Sequence, residues 1–265
     1  MSKKKNISYL FSLALLLLAG CDADTATVPL PGEERAVEVR LKASVCTVEA
    51  TVSRNVIEGT ALNTGDKIGM FLMRDSNFST PYLQNLPYLY AEDGQLNLQP
   101  EGTKVYYPAR KDTLYLYGYY PYTTEAATDE HGKVSIPVTA ALEANEATDY
   151  LYTGEIKGSK KAAATAAGIP VSLKHALARL CLSISTNRPE YTAESYPVLQ
   201  SIGFTTREGQ KGTMDLQTGD ITSDSPDTGT SVISDYQDEA TPPALIPGMS
   251  VLQKDYLLLP YKHGS

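Results

Sequence analysis

The chain has 265 residues, 42% hydrophobic and 20% charged, and a formal charge of −8 at pH 7. So acidic a surface is repelled by phosphate backbones, which excludes nucleic acid as a partner. Three cysteines without a CxxC pair and three scattered histidines give no pattern for zinc, and neither a metal nor any other cofactor is expected.

The N-terminus reads as an address. "MSKKK" supplies a positive region and "ISYLFSLALLLLAG" an apolar one, too short to remain as a comfortable membrane span, so residues 1–20 have the layout of a secretory signal peptide. Leu18-Ala19-Gly20-Cys21 follows and resembles a bacterial lipobox, which makes Cys21 the expected lipidation site. Loss of residues 1–20 removes Lys3, Lys4 and Lys5, taking the charge from −8 to −11. Residues 21–35, "CDADTATVPLPGEER", are poor in aromatics and rich in Pro, Thr and acid, as in a flexible tether. Asp22 and Asp24 resemble the surface-export signals of Bacteroidales lipoproteins, and Thr25 and Thr113 lie in sequences similar to O-glycosylation acceptors.

Beyond the tether the sequence alternates with period two. "AVEVRLKASV" (36–45) is apolar at every second position, as are "KVSIPV" (133–138) and "VSLKHAL" (171–177). "KIGMFLM" (67–73) is instead a continuous apolar run, as expected for a strand covered on both faces. "YLYAEDGQLNL" (88–98) reads as a hairpin turning at Asp93-Gly94, and further turn signals fall at 131–132, 208–209 and 219–220. Residues 138–147 alone carry a weak helical pattern. Cys46 and Cys181 fall off the core faces of different strands and are expected as free thiols. His175, with Leu173 and Leu177 on its face, reads as a packed strand residue making one hydrogen bond.

"LYLYGYYPY" (114–122) carries five of the chain's 18 tyrosines, in a sequence without tryptophan. Strand alternation puts Leu114, Leu116 and Tyr120 on one face and Tyr115, Tyr117 and Tyr119 on the other, with Pro121 ending the strand. Such a stripe serves either as sheet core or as a ligand platform. Core packing is favoured, because tyrosine suits strands and sugar platforms usually lean on tryptophan.

The pattern as a whole predicts an all-β protein of antiparallel sandwiches. Its length suits two of them, at 36–160 and 161–265, divided within "GSKKAAATAAGIP" (158–170). Residues 222–243 read as a long surface loop. No catalytic residues are expected, since G-x-S-x-G, H-E-x-x-H, G-x-x-x-x-G-K-[ST] and G-x-G-x-x-G are all missing.

The ordered series "GDKIGMFLM", "YAEDGQL", "VYYP", "LYGYYPY", "DYLY", "VSLKHALARLCLSI", "IGFTTREGQKGTMDLQTGDI" and "YLLLP", preceded by a lipobox, resembles the fimbrillin family of Bacteroidales over about residues 37–260. The resemblance implies two transthyretin-like β-sandwich domains in tandem. It also implies a surface-exposed outer-membrane lipoprotein that becomes a fimbrial subunit, or an accessory or anchor subunit, in cell adhesion. In that family a trypsin-like, Arg-specific protease removes the first strand, and a strand from another subunit fills the opened groove. Arg54 follows the first strand and is the cleavage candidate. Arg35, the alternative, precedes that strand, so cutting there would only shorten the tether; Arg40 lies inside it. Tyr115, Tyr117 and Tyr119 are candidate core aromatics, and a groove contact for them rests on this resemblance. Family members continue beyond the "LLP" strand, whereas this sequence stops at "YLLLPYKHGS"; if the donor strand is missing, the protein would accept a strand without donating one. The alternative is a non-polymerising lipoprotein that captures a glycan or a host or bacterial surface protein.

Overall fold

The computed structural model describes residues 36–46, 62–76, 78, 80–129, 132–140, 148–186, 196–206, 209–225, 229, 231–236, 244–246 and 252–260, without the side chains of 181, 232–235 and 252–255. Among these, strands dominate. In chain order they are β1 (Leu41–Val45), β2 (Lys67–Met73), β3 (Pro81–Tyr90), β4 (Gln95–Leu98), β5 (Thr113–Tyr120), β6 (Ala127–Thr128), β7 (Val134–Thr139), β8 (Leu151–Tyr152) and β9 (Ile156–Ser159). One helical turn, α1 (Lys160–Ala163), comes next. Then follow β10 (Ile169–His175), β11 (Ala178–Ile184), β12 (Ser201–Thr205), β13 (Lys211–Asp215), β14 (Ile221–Ser223), β15 (Ser231–Asp235) and β16 (Leu252–Leu258).

Eight strands form one sheet in the order β2-β3-β4-β1-β10-β8-β5-β9, and β2 also pairs with β5, so the sheet closes on itself like a barrel. Period two in the sequence becomes inside and outside: β1 and β10 bury every second residue. Leu41, Ala43, Ile68, Met70, Leu72, Leu96, Leu114, Leu116, Ile169, Val171 and Leu173 fill the interior. β14-β13-β7-β6 form a second sheet, and β11–β16 and β12–β15 are paired ribbons. A second core joins Phe71, Met73, Tyr117 and Tyr119, from β2 and β5, to Val134, Ile136, Val138, Met214 and Leu216.

β2 therefore contributes to both cores, which is why "KIGMFLM" shows no alternation and is buried at every position after Lys67. The Asp93-Gly94 hairpin forms between β3 and β4; Gly94 sits at φ +84, where glycine is unstrained, and the Asp93 carboxylate accepts the Gln95 N–H at 2.9 Å.

Several elements depart from the sequence reading. β1 and β10 are parallel, Leu41 opposite Ile169 through Val45 opposite Leu173, within a sheet otherwise antiparallel. Two strands far apart in the chain carry no hairpin constraint on their relative direction. Residues 138–139 belong to β7, paired with Lys211 and Gly212, rather than to a helix; 141–147 lie outside the described residues. Segment 158–170 contains the end of β9, α1 and the start of β10, with the Ser159 side chain capping the helix through the Ala162 N–H. Strands also cross that segment: β10 joins the closed sheet, and β7 pairs with β13.

The closure between β2 and β5 depends on one small residue. Gly69 lies opposite Tyr119, and a Cβ there would overlap the Tyr119 ring. Gly69→Ala is expected to lower stability by about 1–3 kcal/mol, as overpacking does, seen as a lower urea midpoint with an unchanged slope. An unchanged midpoint would show that the ring yields freely.

Candidate functional site

The site is the slot that β1 occupies. On one side β10 holds it over five register positions; on the other β4 pairs with Leu41 and Lys42 only. The even residues face outward and the odd ones inward: Leu41 is fully buried, and Val39 and Ala43 are 5% exposed. Main-chain bonds run to both neighbours. Ala43 N–H donates to the Gly94 carbonyl at 2.8 Å, Cys46 N–H to Leu173 at 2.7 Å, and Ile169 N–H to Arg40 at 2.8 Å. Before Arg40 the partner changes to the 105–107 segment, where Val39 N–H donates to the Val105 carbonyl and Tyr107 N–H to that of Val37. "VYYP" thus contributes an isolated bridge, Glu38 to Tyr106, in place of a full strand.

Charge decorates only the outer edge. Glu38 pairs with Arg40 at 3.5 Å and with Lys104 at 3.3 Å, all on partly exposed side chains, a geometry that contributes little to stability. Burial of Leu41 is worth roughly 1.5–3 kcal/mol, with smaller amounts from Val39 and Ala43, and each net backbone hydrogen bond adds about 0.5–1.5 kcal/mol. The strand is held by its inward face and its ladder.

Among the described residues β1 is also the first strand, and its covalent connection to β2 runs through residues 46–66. Arg54 falls in that connection, and Arg54, Arg35 and Cys21 all lie outside the described residues. Cys46 is a free thiol directly after β1.

Three of the four β5 tyrosines lie elsewhere. Tyr117 and Tyr119 belong to the second core, with Tyr115 packed at its margin, whereas Leu41 and Ala43 lie in the first. Leu114 and Leu116 share a core with β1, and the half-buried Tyr120 packs against the same cluster. The Tyr117 ring packs on Phe78 at 4.3 Å, and its hydroxyl is 3.1 Å from Glu155 Oε2. The Tyr119 hydroxyl is 2.7 Å from Asn85 Oδ1 and 2.9 Å from the Thr123 carbonyl, and it accepts the Thr123 N–H at 3.2 Å. Burial pushes Tyr119 up to about 12; burial and the nearby Glu155 carboxylate raise Tyr117 as well.

Two residues missed in the sequence belong to the slot's surroundings. Tyr88, 2% exposed, has a buried hydroxyl without a hydrogen-bond partner, and its pKa is raised by burial and then by the Glu38 charge. Asp149 is the other: its Oδ2 is 2.5 Å from His175 Nδ1, tying the end of β10 to the residues before β8. That hydrogen bond raises the His175 pKa. His175 is thus the hydrogen-bonded strand residue expected, but no signal in the sequence pointed to its partner. Among the described residues no group of three or more His, Cys, Asp or Glu is placed to hold a metal, and no helix is long and apolar enough to cross a membrane.

A family model described as fimbrillin-like matches residues 51–262. The chain belongs to the fimbrillin-like family. Among solved structures it is similar to a candidate cell adhesion protein of Bacteroides ovatus, at 16% identity and a TM-score of 0.54, covering 86% of this chain and 79% of that one. A candidate cell adhesion protein of Bacteroides uniformis aligns at 16% identity and a TM-score of 0.51, over 88% of this chain and 76% of that one. The fimbrial anchor protein Mfa2 of Porphyromonas gingivalis matches at 12% identity and a TM-score of 0.33, over 86% of this chain and 75% of that one, too distant to inform details. No curated protein matches in sequence. Membership of the family supports a fimbrial-type protein of the cell surface, with other fimbrial subunits as its partners.

Two outcomes follow for the slot and its neighbouring core. Leu41→Ala is expected to cost about 2–5 kcal/mol, while Lys42→Ala, one residue away but outward, stays within about 0.5 kcal/mol; chemical denaturation of both variants separates them. The raised tyrosine pKa values set an alkaline limit. Above the ordinary value near 10 the unfolded chain sheds phenol protons that the folded chain keeps. The stabilising contribution is therefore intact below about pH 10 and is lost as pH rises through about 12 for Tyr119. Tyrosinate absorbance from the buried set should appear together with loss of circular dichroism; titration of every tyrosine near pH 10 in the folded protein would contradict this.

Proposed function

We propose that this chain is a subunit of a surface fimbrium that assembles by exchange of β1. The protein is exported, lipidated at Cys21 and held at the outer membrane by the 21–35 tether. An Arg-specific, trypsin-like protease then cuts the connection after β1, at Arg54; a cut at the alternative, Arg35, precedes β1 and would only shorten the tether. Cleavage at Arg54 leaves β1 on the anchored fragment, bound to the rest of the chain only by its hydrogen bonds and its buried side chains. A strand from another subunit then takes the slot. The role is structural and adhesive rather than catalytic, in keeping with the family.

The observation that carries this reading is the position of β1. A strand in the middle of a closed sheet, with Leu41 fully buried, cannot be lost without leaving unpaired edges on β4 and β10 and an open core. A partner strand with apolar residues at alternate positions satisfies both needs at once, which is β-strand addition. Because β1 is the first strand among the described residues, one cut suffices to make it exchangeable.

The test is N-terminal sequencing of protein sheared from the cell surface, beside an unboiled gel. A terminus at Asn55 and a ladder of high-mass bands is expected. A lipid-blocked Cys21 terminus with one monomer band would overturn the exchange reading in favour of an anchor subunit or a capture lipoprotein.

A further inference from the structure

The pairing of β1 with its β4-side neighbour contains a break. From Ala43 to Leu41 the partner is the β3–β4 hairpin; if that register continued, Leu98 would lie opposite Val39. Val105 takes that place instead, and residues 98–104 leave the ladder. Meanwhile β4 stays with β3, Leu98 opposite Tyr88 and Gln99 N–H bonded to the Pro87 carbonyl. The sheet therefore splays between β4 and the start of β1. A cleft of about 690 Å3 fills the splay, lined by Glu38, Arg40, Tyr88, Asn97, Leu98 and Thr103 among others.

The cleft presents unused bonding capacity. Tyr88 lines the cleft, and its hydroxyl, a donor and an acceptor, is buried without a partner among the described residues. Among the described residues the Leu98 carbonyl accepts from the side-chain amide of its neighbour Gln99 alone, at 3.3 Å. A buried polar group without a partner is costly, and one that gains a partner on binding gives that cost back.

We infer that this cleft is the toehold at which an incoming extended strand of another subunit first docks, before it displaces β1. The inference rests on the exchange reading above. A polypeptide strand fits better than a compact solute, because the gap opens in the hydrogen-bonding direction of the sheet and is continuous with the slot to be filled. From the cleft the strand is already aligned with β4. It can advance along the β1–β4 seam, where only Leu41 and Lys42 pair, while β1 still holds to β10 at five positions. Each advance is then an intramolecular step at high effective concentration, and the core is never open along its whole length.

The test uses the full-length chain with a site-specific protease sequence replacing residues 50–57, so that it does not depend on Arg54. After cleavage, a fluorescein-labelled peptide of residues 36–46 with Cys46→Ser is added, and its incorporation is followed by anisotropy. Two variants block the cleft from positions at its rim, Thr103→Trp and Asn97→Trp; Tyr88→Phe removes only the orphan hydroxyl. Thermal melts of each uncleaved protein establish that it is folded. Blocking is expected to slow incorporation roughly tenfold or more without changing the final extent, and Tyr88→Phe to slow it less. Incorporation at the unmodified rate in the folded variants would overturn the toehold while leaving exchange intact, which is also the result if the cleft serves a sugar. No incorporation into the unmodified protein would overturn exchange and toehold together.

Discussion

The insertion of β1 between β4 and β10 is the contact on which the rest of the closed sheet depends. Without it β4 and β10 would face each other across a missing strand, and Leu96, Ile169 and Val171 would lose the residues they pack against. The attachment is uneven. On the β10 side the ladder is parallel and regular; on the β4 side it is short and then passes to the 105–107 segment. A strand so placed combines a large burial with a single covalent connection onward, which permits strong retention and, after one cut, replacement.

The two cores divide the work. The first, inside the closed sheet, is mostly aliphatic, with Tyr88 and Tyr107 buried in the same cluster as Val39, Leu41 and Ala43. The second takes Tyr117 and Tyr119 with their hydrogen bonds to fixed partners, and it joins the closed sheet to the sheet of β7 and β13. Aromatic rings with buried hydroxyls are specific and hard to rearrange. Tyr117 and Tyr119 lie in the core that holds no β1 residue, apart from the strand proposed to exchange.

The tyrosine stretch shows how far alternation carries. Leu114 and Leu116 fall on one core and Tyr117 and Tyr119 on the other, as a period of two requires. The same rule gives β1, β7 and β10 their inward faces, and a continuous apolar run marks β2 as covered on both sides. The short helix was not legible, because four residues of "KKAA" carry too little periodicity and read as linker. The Tyr88 hydroxyl, the Asp149 partner of His175 and the break opposite Val39 were not legible either. Each depends on residues brought together from separate strands.

The sequence by itself determined the β class, the hairpin at Asp93-Gly94, the faces of the main strands and the likeness to fimbrillins. All of these are local patterns or their order along the chain, written in side-chain period and turn chemistry. Only the tertiary structure decided that the sheet closes through β2 and β5, that β1 lies parallel to β10, and that two cores share β2 and β5. Those facts are choices of neighbour and direction between distant strands. Period two is the same whichever strand lies alongside and whichever way it runs.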